Sequence, residues 1–164
     1  MTATGPRNTG DLFANHRDVN LASTVAMIED LLIERGYFLN DCRADREGTL
    51  HSWTVPKGSA LARISLLDRA DFPHLRVASA VMRPPGDVDK IALYQHLLTR
   101  NAELCGAAFA LAGDHVVLIA ERSTLDLDRS ELAELVTRVL TYADDYDDAL
   151  VAEFGGEAGG DLVP

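Results

Sequence analysis

Between Leu50 and Met82 three strand-like segments follow one another with no helix between them, and this run decides the fold class. A parallel sheet needs a crossover, usually a helix, between neighbouring strands, whereas antiparallel strands need only a turn. Leu50–Val55 carries Trp53, and Pro56-Lys57-Gly58 after it is a turn signal. Ser59–Leu67 alternates, with Ala60, Ala62, Ile64 and Leu66 on one face and Leu61, Arg63 and Ser65 on the other. His74–Met82 puts Leu75, Val77 and Val81 on one face and Arg76, Ala78, Ala80 and Met82 on the other. That second face is only weakly polar, which predicts a layer covering at least part of it.

Helical periodicity brackets the strands. Leu21, Val25, Ile28 and Leu32 recur at helical spacing and predict a helix from about Leu21 to Arg35, capped by Asn20 and stopped by Gly36. Tyr37–Cys42 has no clear period. After Pro84-Pro85-Gly86, Asp87 is placed to cap a helix over about Val88–Asn101, with Ile91, Tyr94, Leu97 and Leu98 facing inward. Ala107–Leu111 and His115–Glu121 flank Gly113-Asp114 and predict a hairpin. In its second strand Val116 and Leu118 point one way and Val117 and Ile119 the other, the pattern of a strand inside a sheet or under a partner. Asp128 and Glu131 have capping-box spacing, and an apolar stripe from Leu132 to Leu150 follows. The order α-β-β-β-α-β-β-α predicts an α+β domain: an antiparallel β-sheet of about five strands with three packed helices. It fills about residues 19–154, between flexible tails at 1–18 and 155–164.

A chain of 164 residues suits one domain and buries roughly 70% of its unfolded surface. Apolar residues make up 47% and charged residues 25%, which argues against disorder. With 15 basic and 26 acidic residues the net charge is −11. Phosphate backbones and anionic membranes repel such a surface, so neither nucleic acid nor membrane is an expected partner. The longest aliphatic run, Val116–Ala120, is far short of a membrane span, and the first residues lack a signal-type apolar segment. A cytoplasmic location is the expectation.

Candidate chemistry is sparse. Asp144, Asp145, Asp147 and Asp148 carry the oxygen donors that Mg²⁺ and Ca²⁺ favour. Their place opposite Ala143, Tyr146 and Leu150 predicts a solvated helix face instead. Asp126 and Asp128 are close enough to share a metal, yet capping accounts for Asp128. His16, His51, His74, His96 and His115 include no helical i, i+4 pair. Cys42 and Cys105 lack the spacing of a zinc site, and no histidine is placed by sequence to activate Cys105, so both read as packed, reduced thiols. Phosphate loops, dinucleotide fingerprints and nucleophile elbows are missing from the sequence. No catalytic residue, metal site or cofactor is assigned, and an enzyme is not expected.

The sequence as a whole resembles the YbjN family, described as bacterial sensory-transduction regulators. The resemblance is densest in Val55-Pro56-Lys57-Gly58-Ser59-Ala60 and in Leu97-Leu98-Thr99-Arg100-Asn101-Ala102-Glu103-Leu104, which leads into Gly106–Leu111. A third stretch is Leu125-Asp126-Leu127-Asp128 with the terminal helix, Ala143-Asp144-Asp145-Tyr146-Asp147 and Phe154-Gly155-Gly156. It covers roughly residues 20–156. It implies a fold like that of type III secretion chaperones, which are small α+β proteins, usually dimers, that bind extended segments of clients. It carries over no catalytic residue.

The expected function is therefore a non-enzymatic, chaperone-like protein-binding or regulatory module, in bacterial signalling or a stress response. Its expected partners are a second copy of the chain, in a homodimer, and a protein or peptide client. Trp53, Leu61, Arg63 and Met82 are the candidate partner surface, set against the plainer reading that Trp53 fills the core. The alternative is a small-ligand sensor or a hydrolase whose pocket the sequence does not display.

Overall fold

A computed structural model describes residues 9–58 and 60–159. The elements are α1 (Thr9–Glu34), α2 (Leu39–Cys42), β1 (His51–Lys57), β2 (Ala60–Leu67), β3 (His74–Arg83), α3 (Lys90–Asn101), β4 (Ala108–Ala112), β5 (His115–Ser123), α4 (Arg129–Phe154) and β6 (Glu157–Ala158). One sheet has the order β1-β2-β3-β5-β4, all antiparallel, with β6 beside β3. This is the α+β architecture that the order of elements predicts, with the single turn of α2 as a fourth helix.

The helices share one face of the sheet. Ile28 and Leu32 of α1, Leu93 and Leu97 of α3 and the stripe of α4 pack in a single core with Trp53, Ile64, Val77 and Leu118. In register, Ile64 lies opposite Val77 and Val77 opposite Ala120, so alternate residues of neighbouring strands supply that face. The capping box that starts α4 is present. The Glu131 N–H donates to Asp128 Oδ1 at 2.8 Å, and the Asp128 N–H donates to Glu131 Oε2 at 3.0 Å.

Several local expectations are corrected. The first helix begins at Thr9, not near Leu21, and Asn20 is no cap. Its amide instead donates to the Thr124 carbonyl at 3.0 Å, a tertiary bond that needs Asn20 inside the helix. Residues 9–18 of the predicted N-terminal tail are thus helical, and residues 1–8 lie outside the described residues. Asp89 caps α3 in place of Asp87, accepting from the N–H groups of Ile91 and Ala92. Because α3 packs at the sheet's edge against β4, only its Leu93–Leu97 stripe is covered. Ile91 and Leu98 are 72% and 68% exposed, not inward.

The predicted C-terminal tail is partly ordered. Ala158 and Glu157 pair with Met82 and Arg83, and the Gly159 N–H donates to the Val81 carbonyl at 2.9 Å. Gly159 is what allows this approach, since a Cβ there would lie 2.4 Å from the Ala80 carbonyl carbon. Residues 160–164 lie outside the described residues.

Candidate functional site

Among the described residues no helix covers the other face of the sheet. There the register aligns Arg63, Ala78, Ile119 and Ala108 in one row across the strands, with Ala80, Val117 and Ala110 in the next. On the far side of the first row lie Ser65, Arg76 and Glu121. Ala78, Ala80 and Val117 form a small apolar cluster with Ala110, Ala112 and Ile119, and no helical residue joins it. Alanines between taller neighbours leave a depression. It is a trough of about 330 Å³, bounded by Arg63, Arg76 and Ile119 and rimmed by the link at residues 46–49. The weakly polar second face seen in the sequence is this surface.

Arginines concentrate here although the chain is acidic. Arg46, Arg63 and Arg76 line the trough, with Glu47 as the opposing charge on its rim. Glu121 holds Arg76 from the neighbouring strand, accepting from its Nε at 2.6 Å. Arg69 and His74 also reach Glu121, at 3.2 and 3.0 Å. Partial burial pushes the Glu121 carboxyl up, but the hydrogen bond and charge of Arg76, then His74 and Arg69, outweigh it and hold the carboxyl below its usual range. Arg63 differs. Among the described residues no carboxylate is within ion-pair distance of it, and its Nε is buried without a hydrogen-bond partner.

The edges of the sheet are largely closed. On β1, Arg43 bridges Trp53 and the Ala44 N–H donates to the Ser52 carbonyl at 2.9 Å. Pro56 has no N–H, and its carbonyl accepts from the Tyr37 hydroxyl at 2.8 Å. On β4, the Asn101 side chain occupies both backbone groups of Phe109. A client strand adding to either edge would compete with these bonds. The trough is free of such competition.

The four residues proposed from sequence as a partner surface do not share one. Trp53 is buried in the core, the plainer reading of it. Met82 is buried there too, because the register shifts between Ala80 and Met82 and the shift turns its side chain to the helical side. Leu61 and Arg63 remain half-buried on β2, and Arg63 bounds the trough. Sequence reasoning passed over Ala110, Val117 and Ile119 as site residues, although the two-sided apolar pattern of β5 was the signal for them.

The remaining candidates lie apart. Asp147 is buried, since it falls on the stripe of α4 between Ala143 and Leu150, whereas Asp144, Asp145 and Asp148 are exposed. Asp128 is committed to the cap, and Asp126 adopts φ +56° in the turn before it. His74, His96 and His115 each contact a different carboxylate: Glu121, Glu153 and Asp114. His16 meets the edge of Phe72, and His51 stacks on Trp53. Cys42 is packed as expected, and burial, with the neighbouring Asp41 charge, pushes its thiol up. Cys105 is exposed instead, where the link turns outward at Gly106 (φ +66°). Among the described residues no group of three or more His, Cys, Asp or Glu is placed to hold a metal ion. No helix among them is long and apolar enough to cross a membrane.

Comparison with solved structures finds several similar chains, two of which are matched almost end to end. The Yersinia pestis type III secretion chaperone SycH, in complex with a stable fragment of YscM2, is 19% identical with a TM-score of 0.51. The match covers 73% of this chain and 96% of that one. The structure of the HopA1–SchA chaperone–effector complex contains a chain 13% identical with a TM-score of 0.54, the match covering 87% of this chain and 99% of that one. At such identities the likeness is one of fold. A search of curated proteins gives no match. The model of one family, described as type III secretion (YopN, CesT) and YbjN peptide-binding chaperone 1, matches residues 22–160. The chain is thus a member of the TY-Chap1 family of peptide-binding chaperones.

Proposed function

We propose that this protein is a non-enzymatic, chaperone-like module that holds an extended segment of a client protein in the trough on the open face of its sheet. One observation carries the reading. Among the described residues all helices lie on one face, and on the other a small apolar cluster around Ala78, Ala80 and Val117 floors a trough that no helix covers. An extended segment there would bury small side chains against Ala78, Ala110 and Val117. The test is selection of binders from a displayed random dodecapeptide library, followed by Ala110→Arg, which fills the floor. Loss of the selected peptides on that substitution supports the reading, and unchanged binding sinks it.

The module works as a homodimer. Ile91, Tyr94 and Leu98 form an exposed apolar stripe along α3, and Leu111, 52% exposed, lies on β4, the strand α3 packs against. A self-complementary patch of this kind suits isologous pairing. The setting is cytoplasmic, within bacterial signalling or a stress response. A strain lacking the protein should then show an altered response under stress rather than a missing metabolic step.

A second reading, a small-ligand sensor, is favoured by one feature. A cavity of about 530 Å³ lies between α1, the link at residues 43–49 and β1, and Trp53 at its wall has an indole Nε1 buried without a partner. Thermal shift against a metabolite panel separates the readings, since only the sensor gains stability from a small molecule.

A further inference from the structure

We infer that the trough selects client segments by a carboxylate, with Arg63 as the residue that reads it. This rests on the peptide-binding reading and adds the client chemistry. Three observations on the open face point to an acidic side chain. Arg63 is in no ion pair among the described residues, and its Nε has no hydrogen-bond partner within the chain. Arg76, one row away, is already held by Glu121, so of these two arginines Arg63 is the one available to pair with a client. Arg63 also bounds an apolar trough, where a paired charge is screened less than on open surface. A guanidinium that meets a carboxylate with two parallel hydrogen bonds gives geometric selectivity as well as attraction.

The spacing of the client motif follows from the sheet. Arg63 is on β2 and the alanine floor ends on β4, with β3 and β5 between them. Three strand spacings of about 4.8 Å make about 14 Å, which an extended chain covers in about four residues. Four is an even step, so both side chains of such a segment point at the sheet. The motif is therefore an aspartate or glutamate about four residues from a small aliphatic residue.

The experiment selects dodecapeptides from a random displayed library with the wild-type protein, then measures the binders against Arg63→Glu, Arg63→Gln and Arg63→Lys. Enrichment of an acidic residue at that offset is expected, with binding about tenfold weaker or worse for Arg63→Glu and Arg63→Gln. Arg63→Lys should retain an intermediate affinity, since it keeps the charge but not the fork. Melting of each variant checks that it is folded, and Arg63→Lys serves if the others are not. Binders without acidic enrichment that depend on Ala110 but not on Arg63 overturn this inference and leave the peptide-binding reading standing. A library that yields no binder at all removes both. Arg63→Glu that loses dimerisation but not peptide binding shows the trough to be an interface between copies, and overturns the inference too.

Discussion

The Asn101 side chain closes one edge of the sheet by treating Phe109 as a neighbouring strand would. Its Oδ1 accepts from the Phe109 N–H at 2.6 Å and its Nδ2 donates to the Phe109 carbonyl at 3.2 Å. Asn101 is the last residue of α3, so the helix end plugs the strand that follows it. Tyr37 and Ala44 do related work on β1 at the opposite edge. Closed edges discourage indiscriminate strand pairing.

Asn101→Leu should therefore destabilise the fold by about 1–3 kcal/mol, because it leaves two part-buried backbone groups unpaired. It should also raise self-association, since the edge of β4 is then open. Urea unfolding and light scattering measure the two effects. A variant that is both as stable and as well-behaved as wild type would mean that the pair contributes nothing.

How far the sequence could be read is shown by where its readings stopped. The capping box of Asp128 and Glu131 is a local device and was legible. The alternation in β2 was legible because no irregularity interrupts it. Met82 was not, because the register shift after Ala80 depends on what β5 and β6 do beside it. Asp147 followed the stripe of α4 inward against its chemical type. A wide apolar arc such as Ile91, Leu93, Tyr94, Leu97 and Leu98 does not say which half will be covered, and that choice is made by the position of α3 at the sheet's edge. Of the candidate surface, only Leu61 and Arg63 could be placed on the open face from alternation.

Glu121 gives a prediction with a definite sign. Its carboxyl titrates lower in the folded protein than in the unfolded chain, where about 4.3 is ordinary. A depressed folded value means that the stabilisation is present above the unfolded value and fades as pH falls through the folded one. Glu121→Gln should thus lower the melting temperature at pH 7, and the gap to wild type should shrink as the pH falls below the ordinary glutamate range. A gap that stays constant as the pH falls would show that the charge of Glu121 is not what holds Arg76, His74 and Arg69.

The ordering of the C-terminus hangs on small residues. A Cβ at Gly156 would lie 2.2 Å from the Arg83 carbonyl oxygen, and one at Gly159 2.6 Å from that of Ala80. Gly159→Val should detach β6 from β3, uncovering the backbone of Val81 and Met82. The loss expected is about 1–2 kcal/mol, with new protease cleavage near Phe154. Unchanged cleavage and unchanged amide exchange at Met82 would contradict the pairing.

The α3 stripe separates association from folding. Leu93 and Leu97 face the core, so Leu97→Ala should cost about 2–4 kcal/mol of stability. Ile91 and Leu98 face away from it, so Ile91→Glu with Leu98→Glu removes exposed apolar surface and should leave the melting temperature of the subunit nearly unchanged. If α3 pairs two copies, the same double substitution places like charges across the two-fold axis and halves the mass seen by light scattering. Peptides selected on the wild-type trough should still bind the monomer with similar affinity, because neither substituted residue lines the trough. A double variant that remains dimeric would move the interface elsewhere, and one that becomes monomeric and also loses every peptide would mean that the trough is completed only in the dimer.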